Sequence, residues 1–150
     1  MSLLPVSHQK QRQPSDCLAA CSAMVLDYLL IPYQYERLLR LLNTRSFGTQ
    51  FSNLRHLAAL GVSVELLHGD LGHLVAHLET GLPPIVFVNT AHLSHWQQET
   101  GHAVVVLGVD DRFVFIHDPA IDQPAIAVPI PEFEAAWIEQ DQQYALLTLE

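Results

Sequence analysis

Two cysteines and nine histidines lie within 150 residues, and their spacing narrows the chemistry open to the chain. Cys17 directly follows Pro14-Ser15-Asp16, at the start of a run of small and apolar residues with helical spacing, Cys17 to Leu30. A thiol in the first turn of a helix sits in the positive end of the macrodipole, which favours the nucleophilic thiolate. Cys21 lies one turn deeper and is expected to pack in the core as a free thiol. An attacking thiolate needs a base that keeps it ionised and later protonates the leaving group, and that base needs an orienting partner.

Context sets most of the histidines aside. His8 is in an extended N-terminal arm; His56, His73 and His77 fall on helices; His68 follows a strand; His92 and His95 lie in the loop from Thr90 to Gly101. His102 opens a strand directly after Gly101, and the partner strand of its hairpin ends in His117-Asp118-Pro119. If Val109 to Asp111 make the turn, His102 lies directly opposite Asp118, with Cβ atoms about 4.5–5.5 Å apart. If Asp110 to Arg112 make it, Val104 faces Asp118, and the His102–Asp118 pair is diagonal on one face. A two-residue Asp110-Asp111 turn would place them on opposite faces, so the pairing predicts an odd-length turn or a bulge. Asp110 and Asp111 themselves read as solvated turn residues. His117, next to Asp118, points away from it by alternation and reads as structural.

Acyl transfer at Cys17 also requires donors for a developing oxyanion: the Cys17 backbone N–H and a side-chain amide, for which Gln11 and Gln13 are both close enough. Trp96 and His95 lie in the loop before His102 and are expected to border the cleft as substrate-binding residues. His73 and His77 share one helix face with Asp70, but no third ligand is placed to complete a metal site, so they read as a solvated face.

Helices and strands must hold these groups. Cys17 to Leu30 forms the first helix, with Ser15 or Asp16 as N-cap and Pro32 as its stop. A second spans about Gln34 to Asn43, and a third about Ser52 to Leu60, capped by Ser52 and closed by Gly61. Val62 to Leu66 alternates as a strand; Asp70 to Thr80 is a helix capped by Asp70 and closed by Gly81. Pro84 to Asn89, His102 to Val109 and Phe113 to His117 read as strands, the last two as a hairpin. Pro131 starts a final helix, Glu132 to Gln140, and Tyr144 to Leu149 is the final strand. Helices followed by mostly antiparallel strands predict an α+β fold, N-terminal helices packed on a C-terminal antiparallel sheet, in one domain covering residues 1–150.

Composition excludes several classes. With 7 basic and 16 acidic side chains, a net charge of −9 and no Lys/Arg run, nucleic acid and anionic membranes are poor partners. An acidic surface would instead favour a cationic peptide. A content of 49% hydrophobic and 15% charged residues supports a folded core. No apolar run approaches the roughly 18 residues of a membrane span, and no signal peptide opens the chain, so a cytoplasmic protein without a membrane span is expected.

Taken together, Gln11, Asp16-Cys17 and Ala20-Cys21-Ser22-Ala23-Met24 resemble the opening of the bacteriocin-processing, double-glycine-leader cysteine peptidases, a branch of the papain-like superfamily usually found as the N-terminal domain of peptide-exporting ABC transporters. Gly101-His102, Ile116-His117-Asp118-Pro119-Ala120, Pro131-Glu132-Phe133 and Trp137 are similar to the family's second block, in the same order. The resemblance implies a papain-like fold and a cysteine peptidase with Cys17 as nucleophile, His102 as general base and acid, Asp118 as orienter and Gln11, six residues before the nucleophile, as oxyanion donor. It implies no metal or organic cofactor, and a peptide or protein substrate, a leader peptide among the candidates. Leu18 departs from the glycine that usually follows the nucleophile. The sequence carries neither transmembrane nor ATPase segments, so a stand-alone peptidase domain is expected. The same site could pass its acyl group to an amine or thiol as a transferase, and a peptidase-like module could bind peptides without cutting them. The intact set of Cys17, His102, Asp118 and Gln11 favours catalysis, because a pure binding module has no physical need of it.

Overall fold

Helix α1 (Cys17–Tyr28) is apolar almost all round, and every residue from Leu18 to Leu26 is buried, as for a helix enclosed by the rest of the fold. It is shorter than the sequence suggests. The chain leaves it through Leu30, in the left-handed region at φ 61°, where Leu30 N–H donates to Asp27 O (3.1 Å) and Ile31 N–H to Leu26 O (2.9 Å). This double closure normally uses glycine; Asn43 and Gly81 supply the left-handed residue after the next two α-helices. Leu30 is 88% exposed and gains little from burial to offset the strain. Leu30→Gly is therefore expected to stabilise the protein by about 0.5–1 kcal/mol, the left-handed penalty less the added chain entropy of glycine, measured as a shift in urea midpoint at unchanged slope. An unchanged or lower midpoint would show that the turn carries no such strain.

At the other end Asp16 holds the N-cap position of α1 without making a side-chain cap bond. Its carboxylate accepts instead from the Tyr35 hydroxyl (3.2 Å), which fastens α1 to α2 (Tyr35–Leu41). Ser15 does not cap the helix either. Residues Phe51–Leu60 form a 3-10 helix preceded by Gln50, not an α-helix capped by Ser52. Its Asn53 side chain donates to Leu42 O (2.9 Å), satisfying one of the open carbonyls at the end of α2. As expected, this segment stops at Gly61, at φ 88°.

The structure, a computed structural model, describes residues 2–150. Its six strands, β1 (Val62–His68), β2 (Ile85–Asn89), β3 (Gly101–Val109), β4 (Phe113–His117), β5 (Ile126–Pro129) and β6 (Gln143–Leu149), form one antiparallel sheet in the order β1-β6-β2-β3-β4-β5. Strand β5 has no clear sequence signal. It is four residues long, flanked by Pro124 and ended by Pro129, at a sheet edge where a missing N–H is tolerated. Helices α1 and α2 and the 3-10 helix cover one face, over Ile85, Ala103, Val105, Leu107, Ala145 and Leu147. The N-terminal helices account for only that face; α3 (Leu71–Glu79) and α4 (Ile130–Ile138) cover the other, over Val86, Val104, Val106, Tyr144 and Leu146. Burial on both faces is why β2 and β3 read as continuous apolar runs.

Two histidines serve α3 itself. Asp70 and His73 form a reciprocal capping box, each accepting the other's backbone N–H at 3.1 Å, and His77 Nε2 hydrogen-bonds the Tyr144 hydroxyl (2.9 Å).

The β3–β4 hairpin carries the irregularity that its two faces require. Val105 pairs with His117 and Val106 with Ile116, but Gly108 pairs with Phe115, leaving Leu107 as an extra residue in a bulge. At the tip, Asp110 Oδ1 accepts from Arg112 N–H (2.8 Å) and Phe113 N–H (2.7 Å), the local bonding for which turns select aspartate. Beyond the bulge, the register puts Val104 level with Asp118 and His102 on the same face, the diagonal arrangement.

Candidate active site

Asp118 is fully buried just past the end of β4 and accepts four hydrogen bonds. Oδ1 takes His102 Nε2–H (2.7 Å) and Ala120 N–H (2.9 Å); Oδ2 takes His95 Nε2–H (2.8 Å) and Trp96 Nε1–H (2.7 Å). Burial alone would push this carboxyl up, but the bonds from His102, His95 and Trp96 and the His102 charge hold it far below the usual carboxylate range.

His102 is buried at the start of β3, as its second residue. Burial disfavours its charged form; the Asp118 bond and the neighbouring Cys17 reverse this and raise it to about 9. With Nε2 on Asp118, Nδ1 is the ring nitrogen left for the thiol. Cys17, the first residue of α1, is likewise pushed up by burial. The His102 ring and the N–H groups of Ala103 and Leu18 outweigh that, bringing the thiol below its ordinary value of 9.0. Cys21, one turn on, is pushed well up by burial and by the nearby acidic groups. One thiol is thus poised to ionise and the other held protonated. Leu18, the residue after Cys17, is buried in the core under α1.

The N-terminal arm ties the two halves of the site together. Leu4 N–H donates to the bulge carbonyl of Leu107 (3.0 Å) and Gln11 N–H to Pro119 O (2.7 Å). His117 Nε2–H donates to Val6 O (2.6 Å), while its Nδ1 accepts from Ala125 N–H (3.1 Å). Two opposite bonds fix a neutral ring, and burial also lowers the His117 pKa; its role is structural. Gln11 lies in the cleft with Cys17, but its Nε2 donates to Gln13 O (3.0 Å) and Pro14 O (3.1 Å). Both amide hydrogens are therefore engaged on its own loop, and its Oε1 is buried without a partner. The Cys17 N–H, in the first turn of α1, has no acceptor within the helix.

A cleft of about 740 Å³ opens over Cys17 and His102. Its walls include Phe47, Phe51, Phe87 and Trp96, with Phe51 and Phe87 stacked at 5.2 Å. The 46–49 wall escaped the sequence reading; Gly48 between two helical segments was its one signal, marking a loop. Trp96 reaches the cleft as expected, yet its ring also packs on His102 (4.8 Å between centroids). His95, expected beside Trp96 as a substrate-binding residue, is not among the residues lining the cleft, and its ring bonds Asp118 instead. The lining carries Lys10 and Arg12 and no carboxylate, so the overall charge of −9 is not reproduced at the site, and the case for a cationic substrate loses its local support.

The sequence matches the model of the peptidase C39 family over residues 6–148. No curated protein matches the chain. Among solved structures, it is similar to a protein from Bacillus anthracis described as a C39-like peptidase, at 18% identity over 100% of this chain and 99% of that one, TM-score 0.82. A double-glycine-motif protease from an AMS/PCAT transporter, solved with its leader peptide, is similar at 20% identity over 99% and 95%, TM-score 0.78. The peptidase domain of Streptococcus ComA, a bi-functional ABC transporter involved in a quorum sensing pathway, is similar at 20% identity over 97% and 99%, TM-score 0.79. At these identities the likeness is one of fold, the papain-like α+β arrangement. Among the described residues, no helix is long and apolar enough to cross a membrane.

Proposed function

Because the chain belongs to the peptidase C39 family and is a cysteine peptidase, we propose that it hydrolyses a peptide bond through a Cys17 acyl-enzyme, with His102 and Asp118 completing the triad. The observation that carries this reading is the placing of Cys17 and His102 together in the cleft, with His102 held through Nε2 on the buried Asp118 at 2.7 Å; the thiol lowered and the imidazole raised agree with it and favour a thiolate–imidazolium pair. The thiolate attacks the scissile carbonyl, and His102 gives its proton to the leaving amine. His102 then activates the water that resolves the acyl-enzyme. The Cys17 N–H would meet the oxyanion, and Gln11 would join it by turning one amide hydrogen away from its loop carbonyls. These steps call on the chain's own side chains, the peptide and water. The peptide complexed with the transporter protease supports a peptide substrate, and a leader peptide is the first to try.

Alkylation by iodoacetamide across pH tests the pair. Cys17 is expected to react well below the pH at which an ordinary thiol does, at a rate flat through neutrality, and Cys21 not at all in the folded protein. Cleavage of a peptide by the same protein should fall above a pH of about 9, where His102 loses the proton that the leaving group needs. Two thiols reacting alike, at an ordinary thiol's rate and pH dependence, would remove the basis for an activated nucleophile.

A further inference from the structure

The bonds around Asp118 include one that the peptidase mechanism does not call upon. We infer that His95 is a positioning residue: by donating Nε2–H to Asp118 Oδ2 at 2.8 Å, it fixes the carboxylate so that Oδ1 stays aligned with His102, and so maintains the reactive state of Cys17. The inference rests on the peptidase reading and adds to it a residue that never touches substrate.

Three observations carry it. First, the two carboxylate oxygens are divided: Oδ1 serves His102 and the Ala120 N–H, while Oδ2 is held by His95 and Trp96. Rotation of the carboxylate that would spoil the His102 bond must therefore break the Oδ2 bonds as well. Second, Asp118 is fully buried, so water cannot readily replace a lost donor, and a charged acceptor left short of partners in such a place is costly. Third, His95 is delivered by a loop that is itself fixed. Ser94 N–H donates to Glu132 Oε1 on α4 (3.1 Å), His92 Nε2 pairs with Glu139 at 3.1 Å, and Thr90 Oγ1–H donates to Gln98 O (2.6 Å). The constraint thus runs from α4 through Ser94 and His95 to Asp118, and on to His102 and Cys17. His95 lies outside the cleft lining, so its removal takes away no substrate contact.

The test compares wild type, His95→Phe and His95→Gln by the rate of Cys17 alkylation with iodoacetamide at pH 7, with thermal melting in parallel. Phenylalanine fills the site but cannot donate; the glutamine Nε2 can reach the place of the imidazole Nε2. Alkylation of Cys17 is expected to slow about fivefold or more in His95→Phe and to return to within about twofold of wild type in His95→Gln, because the loss of a hydrogen bond to a buried charged acceptor is worth about 1.5–3 kcal/mol. Equal rates in wild type and His95→Phe, with wild-type Cys17 hyper-reactive, would overturn the inference and leave the peptidase reading standing. Slowing in both variants alike would overturn it too, because donation would then not be what matters. An ordinary rate in the wild type would instead overturn the peptidase reading on which it rests.

Discussion

Asp118→Asn is expected to lower peptide hydrolysis about 10⁴-fold, the order seen when the acid of a triad becomes an amide, and to destabilise the fold by about 3 kcal/mol. The two effects share one cause. The carboxylate offers acceptors on both oxygens, and both are in use: His102 and Ala120 on one, His95 and Trp96 on the other. An asparagine has one oxygen and one NH₂, so whichever way it turns, two donors face a donor in a fully buried site. If the NH₂ faces His102, the ring must present a lone pair at Nε2 and its proton moves to Nδ1, the wrong tautomer to take a proton from Cys17. If it faces His95 and Trp96, the loop from Thr90 to Thr100 loses its hold. The depressed pKa of Asp118 gives this contribution a pH signature. It is present above the ordinary value of 3.8 and lost as pH falls through the lower folded value, so the stability gap between wild type and variant should narrow in strong acid. Urea denaturation at pH 7 and near pH 2, together with a cleavage assay, would decide it. A variant with full stability and near wild-type turnover would mean that Asp118 holds neither the tautomer nor the loop.

Cys17→Ala should abolish turnover, a fall of about 10⁵-fold or more, as for removal of other covalent nucleophiles, while leaving the structure in place. Alanine is a good helix former, and Cys17 is only partly buried at the first position of α1. The melting temperature should therefore stay within a few degrees. The variant also dissolves the charge pair. Without a neighbouring thiolate His102 loses part of what raises its pKa, so its titration, followed by NMR of the ring proton, should move down from about 9. Residual cleavage close to wild type would require another nucleophile, and Cys21, buried and held protonated, is not placed to be one.

The pairings that define the site were legible because β-structure obeys a strict period. Alternation alone required a bulge or an odd turn between His102 and Asp118, and Leu107 is that bulge. Helix starts and stops were legible where the side chain decides them, as at Asp70 and Gly61. They were misread where a distant partner decides: Asp16 is drawn from its capping role by Tyr35, and Leu30 takes a turn that no propensity would assign to leucine. His95 and Trp96 were placed near the cleft from loop position, but nothing local distinguishes a ring that faces substrate from one that faces a buried carboxylate. That distinction depends on α4, some 40 residues further on, which fixes the loop through Glu132 and Glu139. For the same reason the donors of Gln11 could be counted in sequence, while the carbonyls that occupy them could not.

Leu107 also sets a rule of parity for the hairpin. The strand pair can be phased in two ways, equally good in backbone hydrogen bonds, and bulging out the one extra residue selects the phase in which Asp118 arrives in the layer of His102. Ironed out with every residue kept, the ladder would run on as Val106–His117 and Val105–Asp118, presenting His117 to the layer of His102 and turning Asp118 towards α1. Removing Leu107 itself would leave Val106–Ile116 and Gly108–Phe115 as consecutive pairs with both layers unchanged, so that single deletion should be tolerated: the bulge, not the hairpin's length, sets the layers. Leu4, bonded to the Leu107 carbonyl, makes the N-terminal arm the clasp that holds the bulge.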